Sequence, residues 1–242
     1  MIRAVFFDLY NTVARFDPPR EELQVAVCRE MGMTVTAEGI ERGYVRADDY
    51  LARENGRDPV FKRPNERLAA FWAEYERLVL EGAGVNASLE LSGEIFARVR
   101  RQHYDLALFD DVLPAMFVLR QRALVLGLLS NINRDIRQLT DALRLTPYLD
   151  FAITPAEAGA EKPHPPIFLE ALRRADCAPA EALHVGDQYH SDVVGARGVG
   201  IKPLLLDRTG LLDPAQYDVP VIRSLMEVQD HLGEPGPESL PE

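Results

Sequence analysis

A short run of strand-forming residues, Ala4-Val5-Phe6-Phe7, stops at a carboxylate, Asp8, and the chain then turns through Leu9-Tyr10-Asn11-Thr12. In an open α/β sheet the carboxyl end of a strand faces the ligand crevice. A carboxylate there can act as a nucleophile, forming a covalent intermediate that water later hydrolyses. Aspartate is also the residue of turns and helix caps, so Asp8 taken alone leaves both roles open.

The rest of the chain repeats the theme. The pattern predicts core strands over 2–7, 124–129, 150–153, 182–185 and 201–206, with helical periodicity between them. Asp110 and Asp111 stand where they could cap a helix carrying Val112, Met116 and Leu119. Ile136, Leu139 and Leu143 form the stripe of a second helix after Asn133. Pro165 and Pro166 open a third, with Ile167, Phe168, Ala171, Leu172 and Ala175 on one face. Strands alternating with helices imply parallel pairing and right-handed crossovers. The expected fold class is therefore α/β, a doubly wound parallel sheet.

More than a hundred residues separate Thr12 from the second of these strands, far too many for an ordinary crossover. The text from 16 to 104 reads as four helices, over 21–31, 37–55, 65–81 and 88–103, punctuated by Gly32, Gly56, Gly82 and Gly84. Leu68, Phe71, Trp72, Tyr75 and Leu78 make its densest apolar stripe, and helix packing accounts for it. The expected organisation is a core of 1–15 and 105–232, an inserted helical cap of 16–104, and a frayed tail of 233–242 rich in proline and glycine.

Composition excludes several function classes. A chain of 242 residues, 47% hydrophobic, has ample material for a core, yet no apolar run approaches the ~20 residues of a membrane span. A formal charge of −11 opposes binding to nucleic acid and to anionic membranes. Cys28 and Cys177 lie far apart and read as reduced thiols. The start of the chain has no signal-peptide layout. The expectation is a cytoplasmic protein with a small-molecule substrate, its oligomeric state open.

Three further segments carry chemistry. The run Leu124–Leu129 ends in Ser130-Asn131; then comes Glu161-Lys162-Pro163-His164-Pro165; then Ala182-Leu183-His184-Val185 leads into Gly186-Asp187-Gln188-Tyr189-His190-Ser191-Asp192. Asp8, Asp187 and Asp192 would converge on one sheet edge. Crowded carboxylates repel, and one takes up a proton unless a cation neutralises them. Mg²⁺ suits such a place, being a hard ion that accepts carboxylates, water and phosphate oxygens.

In order and spacing these segments resemble the haloacid dehalogenase-like hydrolase superfamily, in its helical-cap branch, over residues 1–14 and roughly 110–206. The resemblance implies a Rossmann-like core with an inserted cap, and an activity among phosphatases and dehalogenases. It implies catalytic roles for Asp8, Tyr10, Ser130 and Lys162, with Asp8 the nucleophile. Thr12, Ser130, Asn131 and Lys162 would bind the substrate anion, Lys162 supplying a fixed positive charge. Mg²⁺ would be held by Asp8, Asp187 and the backbone carbonyl of Tyr10, with Asp192 beside it holding a metal water or Lys162. Asn11 stands where many relatives have glycine, and asparagine tolerates a left-handed turn.

Tyr10 departs from the phosphatase pattern, which has a second aspartate there as general acid/base. A phenol with a pKa near 10 serves that role poorly. Tyrosine at this position looks like the dehalogenase branch, where halide leaves as a stable anion without a proton. The dehalogenases, however, lack the Gly-Asp-x-x-x-x-Asp metal motif. The leading expectation is a Mg²⁺-dependent phosphatase acting on a small phosphate monoester through an aspartyl-phosphate on Asp8. The alternatives are a metal-independent L-2-haloacid dehalogenase, and a weakly active or inactive relative that binds a phosphorylated ligand or a protein partner. Among the remaining residues, His184 reads as a strand-end packing residue and Tyr189 and His190 as exposed loop residues. Arg46, Asp48 and Asp49 read as the charged face of an amphipathic helix.

Overall fold

The computed structural model describes residues 1–132 and 135–233. The expected tail thus lies, apart from Gly233, outside the described residues, as does Asn133. The chain divides into two compact units, one of Met1–Ala14 with Leu108–Glu242 and one of Arg15–Ala107. In chain order, β1 (Ala4–Phe7) and β2 (Ala14–Asp17) are followed by α1 (Arg20–Glu30), α2 (Ala37–Arg57), α3 (Asn65–Gly82) and α4 (Leu89–Val99). Then come β3 (Asp105–Leu108), α5 (Val112–Gln121), β4 (Val125–Leu129), α6 (Ile136–Ala142), β5 (Phe151–Ile153), α7 (Pro155–Ala158) and α8 (Pro165–Ala175). The last elements are β6 (Ala182–Gly186), α9 (Val194–Gly198), β7 (Lys202–Leu206) and β8 (Val221–Ile222). Among the described residues no helix is long and apolar enough to cross a membrane.

The α/β unit is built on a six-stranded sheet in the order β5-β4-β1-β6-β7-β8, with parallel pairing throughout. β1 lies at the centre and all four of its residues are buried, which explains why its sequence shows no polar alternation. β4 and β5 run outward on one side, and β6, β7 and β8 on the other. The carboxyl ends of β4, β1 and β6 therefore lie side by side at mid-sheet, where a doubly wound fold opens its crevice. In register, Phe7 pairs with both Leu128 and Val185. Helix α8 packs on one face through Ile167, Phe168, Ala171, Leu172 and Ala175, the stripe read from the sequence, against Phe6, Leu129 and Ile153.

The structure departs from expectation in several places. β2 and β3, which pair in a separate two-stranded sheet, and the edge strand β8 were not anticipated. Segments of two to four residues are too short to show a period. Asp111 sits at the N-cap of α5 but makes no capping bond. Its carboxylate instead accepts hydrogen bonds from Arg208, from the Ser224 hydroxyl at 2.7 Å and from the Leu225 backbone N–H at 2.8 Å.

In the helical unit, Thr36 and Ser88 cap α2 and α4 by accepting the backbone N–H of the third residue on. The expected stripe of α3 packs on α2: Phe71, Tyr75 and Val79 are buried with Ile40, Tyr44 and Ala47, while Leu68, Trp72 and Leu78 flank them half-buried. These helices meet backbone to backbone at Gly43, where a Cβ would stand 2.0 Å from the Val79 carbonyl oxygen. Any side chain there would separate the helices.

A polar network lies beneath that contact, and it corrects the reading of Asp48 as a surface charge. Asp48 is buried; it pairs with Arg20 at 2.8 Å and accepts from the Tyr75 hydroxyl at 2.6 Å. Arg20 stacks 4.1 Å above the Tyr44 ring, and the Tyr44 hydroxyl donates to Gln24 at 3.1 Å. Gln24 in turn donates its amide to Glu76. Arg46 and Asp49 do lie toward the surface, in ion pairs with Glu81 and Arg53.

Glu76 is 1% exposed and faces this neutral amide. Burial pushes its carboxyl from 4.5 up to about 7, against the opposing Gln24 hydrogen bond. The folded state thus holds the proton more tightly than the unfolded chain. The associated stability is fully present below pH 4.5 and is lost as the pH rises through about 7. The shift corresponds to at most ~3 kcal/mol. Glu76→Gln should therefore raise the melting temperature by several degrees at pH 8 and by little at pH 4.5. Calorimetry across that range checks this; parallel pH profiles for the two proteins would contradict it.

Candidate active site

Three residues stand one position beyond the central strands: Asp8 after β1, Ser130 after β4 and Asp187 after β6. The parallel register brings them to the same edge. The backbone N–H of Asp8 still donates to the Val185 carbonyl at 2.9 Å, so the strand ladder fixes where its side chain leaves the sheet. The chain then reverses tightly. Val13 and Ala14 both donate to the Leu9 carbonyl, and Asn11 donates to Ala14 at 2.8 Å. Asn11 adopts the left-handed conformation expected of it, with φ of 54°. Its side-chain amide reaches Asp187 at 3.2 Å, which ties the turn after β1 to the end of β6.

Lys162 lies in the connection between α7 and α8, is 2% exposed, and places Nζ 2.5 Å from Asp8 and 2.7 Å from Asp192. Asn131 clamps the lysine backbone from both sides: its Oδ1 accepts from the Lys162 N–H at 2.7 Å and its amide donates to the Lys162 carbonyl at 2.9 Å. The sequence suggested an anion contact for Asn131. Its side chain sets the position of Lys162.

Asp192 is carried back to the sheet edge by a wide turn of π type over Tyr189–Val193. Its Oδ1 contacts Lys162 and His184 Nε2, the latter at 2.9 Å, and its Oδ2 accepts from the Gln188 backbone N–H at 3.1 Å. Gly186 makes room for it, since a Cβ there would come 2.2 Å from the Asp192 carboxyl carbon. This is the physical reason for glycine in the Gly-Asp pair.

Oxygen atoms of Asp8, Asp187 and Asp192 all fall within 4.8 Å of one another. Burial pushes Asp8 from 3.8 up to about 6; the Lys162 charge opposes that rise and the Asp192 charge adds to it. Asp192 moves the other way. Burial raises it, but the Lys162 charge and the His184 hydrogen bond outweigh burial and hold it below the ordinary carboxylate range. Burial also works against the Lys162 ammonium, and the two carboxylates more than offset it. A cluster of three hard oxygen donors, whose mutual repulsion a cation would relieve, fits a divalent cation such as Mg²⁺.

Ser130 is buried at the end of β4, its N–H donating to the Ile153 carbonyl at 3.1 Å. Thr12 is fully buried and its hydroxyl has no hydrogen-bond partner among the described residues. Tyr10 is half-buried and its backbone bridges to Ala14. Tyr189 donates its hydroxyl to Asp218 at 2.8 Å and packs against Tyr217 and His190.

Two residues near the site were missed or misjudged from sequence. Arg208 donates Nε and Nη2 to the Thr12 carbonyl at 3.0 and 2.6 Å, pairs with Asp111 and lies 3.9 Å above the Phe109 ring. The one available signal was its place just past β7, at the edge where the other functional groups gather. His184 is buried and packs on Phe168, as its strand position suggested, but it also contacts Asp192.

An aspartate at the centre of a doubly wound sheet, held by a lysine and flanked by two more carboxylates, defines an α/β enzyme suited to displacement on an anionic substrate. The haloacid dehalogenase-like hydrolase profile matches residues 2–200, and the chain belongs to that family of hydrolases. It is 29% identical to the human haloacid dehalogenase-like hydrolase domain-containing protein 3, over 90% of this chain and 86% of that one. It is 27% identical to the ribulose-1,5-bisphosphate 5-phosphatase of Halopiger xanaduensis, over 86% and 85% of the two chains. Among solved structures, a 2-haloacid dehalogenase from Pseudomonas syringae pv. Tomato DC3000 superposes with a TM-score of 0.54 at 28% identity, over 96% of this chain and 98% of that one.

Proposed function

We propose that the protein is a Mg²⁺-dependent phosphatase acting on a small phosphate monoester in the cytoplasm. The observation that carries this reading is the cluster of Asp8, Asp187 and Asp192 oxygens beside Lys162. Displacement of halide from carbon calls for no such cluster, whereas a phosphate dianion beside three carboxylates needs cations.

Asp8 and Asp187, with the Tyr10 carbonyl, would hold Mg²⁺; Asp192, with both oxygens engaged by protein donors, anchors Lys162. Bound there, the ion would supply the charge that lets anionic nucleophile and anionic substrate approach. One Asp8 oxygen is held by Lys162, and the other attacks phosphorus in line with the ester oxygen. An Asp8–phosphorus bond forms as the phosphorus–ester bond breaks, and the electron pair leaves with the alcohol oxygen. Water then attacks the aspartyl-phosphate at phosphorus, releasing inorganic phosphate and restoring Asp8. Ser130 and Thr12 offer hydroxyls to the phosphoryl oxygens, and Lys162 stabilises the charge they gain. The helical unit takes the substrate-selecting cap role that the family resemblance implies.

Hydrolysis of 4-nitrophenyl phosphate should fall by about 10²–10³-fold in chelator and return with added Mg²⁺, since a catalytic metal contributes several kcal/mol of charge stabilisation. Tyr10 favours the second reading, an L-2-haloacid dehalogenase. Halide release from 2-chloropropionate that persists in chelator, with no phosphate release, would establish that reading instead.

A further inference from the structure

We infer that His184 is a positioning residue for the catalytic lysine: its imidazole holds Asp192 in the orientation that in turn holds Lys162 against Asp8. This rests on the reading of Asp8 and Lys162 as the reacting pair.

The chain of contacts is short and buried. His184 Nε2 lies 2.9 Å from Asp192 Oδ1, and that same oxygen lies 2.7 Å from Lys162 Nζ, which lies 2.5 Å from Asp8. His184, Asp192 and Lys162 are 0%, 1% and 2% exposed. Water therefore has little access to replace any of the three contacts. Asp192 can accept but not donate as a carboxylate, so the shared hydrogen is on Nε2 and His184 is the Nε2–H tautomer. The imidazole is thus held on its polar side by Asp192, and Phe168 fixes its plane edge-on with ring centroids 5.2 Å apart.

Asp192 has a specific need for this donor. It rides on the wide turn over Tyr189–Val193, and its Oδ2 takes a backbone N–H of the same connection, from Gln188. Those contacts fix the carboxylate to its own loop. The bond from His184, on the rigid strand β6, fixes it to the sheet. β6 also pairs with β1, with His184 directly opposite Phe6, so the donor and the nucleophile are referenced to one frame. Without His184 the carboxylate can swing with its loop, and the ammonium it holds moves with it. A displacement of about 1 Å at a reacting centre costs about 10²-fold in rate, and the loss of an outer-shell partner typically costs 10–100-fold.

The test compares three variants of the full chain, assayed on 4-nitrophenyl phosphate with saturating Mg²⁺ and followed by crystal structures. His184→Gln places an amide N–H about where Nε2 lies; His184→Asn carries the same group too short to reach Asp192; His184→Leu removes it. Positioning predicts a fall in kcat of about 10–100-fold for Asn and Leu, with KM nearly unchanged, and recovery of most of that loss in Gln. A purely structural role predicts that Asn and Gln behave alike. Equal kcat in those two variants overturns the inference, as does a structure of the Asn or Leu variant with Asp192 Oδ1 still against Lys162 Nζ. The Asn–Gln comparison stands even where Leu does not fold. Should the wild type be inert on phosphate esters, or Asp8→Asn remain active, the phosphatase reading fails while the Asp192 geometry in the variants still decides the role of His184.

Discussion

Asp8→Asn should abolish turnover, lowering kcat by at least about 10³-fold without lowering the melting temperature. The amide is nearly isosteric with the carboxylate but is no nucleophile toward phosphorus. Asp8 is placed by the ladder between β1 and β6 through its own backbone N–H, which the substitution leaves intact. Lys162 keeps Asp192 as its anion, so no buried charge is left without a partner. Burial disfavours the ionised form of Asp8, which is why its carboxyl rises to about 6. A neutral side chain removes that cost. Single-turnover kinetics with calorimetry on the same sample check both halves. Retention of more than a few per cent of wild-type activity would remove Asp8 from the nucleophile role.

What could be read from the sequence follows from the range of the interactions involved. β1, β4 and β6 are apolar runs that end abruptly at Asp8, Ser130 and Gly186-Asp187, and a parallel sheet demands that such ends share an edge. The α8 stripe is equally local, because prolines open the helix and every core residue follows its turn. The misses share a different cause. Asp111 precedes a helix and reads as a cap, but Arg208 lies 97 residues away in sequence and competes for the carboxylate with two charged contacts. Asp48 sits among charged residues that suggest a solvated face, and only the approach of α1 and α3 brings Arg20 and Tyr75 onto it. Asn131 follows a strand end and reads as an anion ligand; its hold on the loop carrying Lys162, 31 residues on, is not legible there. Backbone chemistry and short-range period are written locally; the partners of a polar side chain are decided by packing.

Tyr10→Asp should raise turnover of alkyl phosphates, whose alkoxide leaving groups need a proton, more than that of 4-nitrophenyl phosphate, whose nitrophenolate leaves without one. Tyr10 occupies the turn after β1, two residues beyond Asp8, the proposed nucleophile, with its backbone fixed by the bridge to Ala14. A phenol with its ordinary pKa near 10 is a poor general acid and a poorer base near neutral pH. A well-placed carboxyl is worth about 10²–10⁴-fold, and an unoptimised pocket should recover about 10-fold of it. The substitution also adds a carboxylate to the turn that follows Asp8, a member of a cluster whose oxygens already lie within 4.8 Å of one another. Repulsion then raises the proton affinity of the group and strengthens its demand for a cation, so rates should be compared at saturating Mg²⁺ and across pH. The ratio of the two gains is the informative quantity. A larger gain on alkyl esters shows that the site lacks only its proton donor. Equal gains on both substrates point to an effect on metal or substrate binding. A folded, metal-binding variant with no gain on either means that leaving-group protonation does not limit this site, either because another group already supplies the proton or because phosphoryl transfer is not its reaction; halide release from 2-chloropropionate then separates the two.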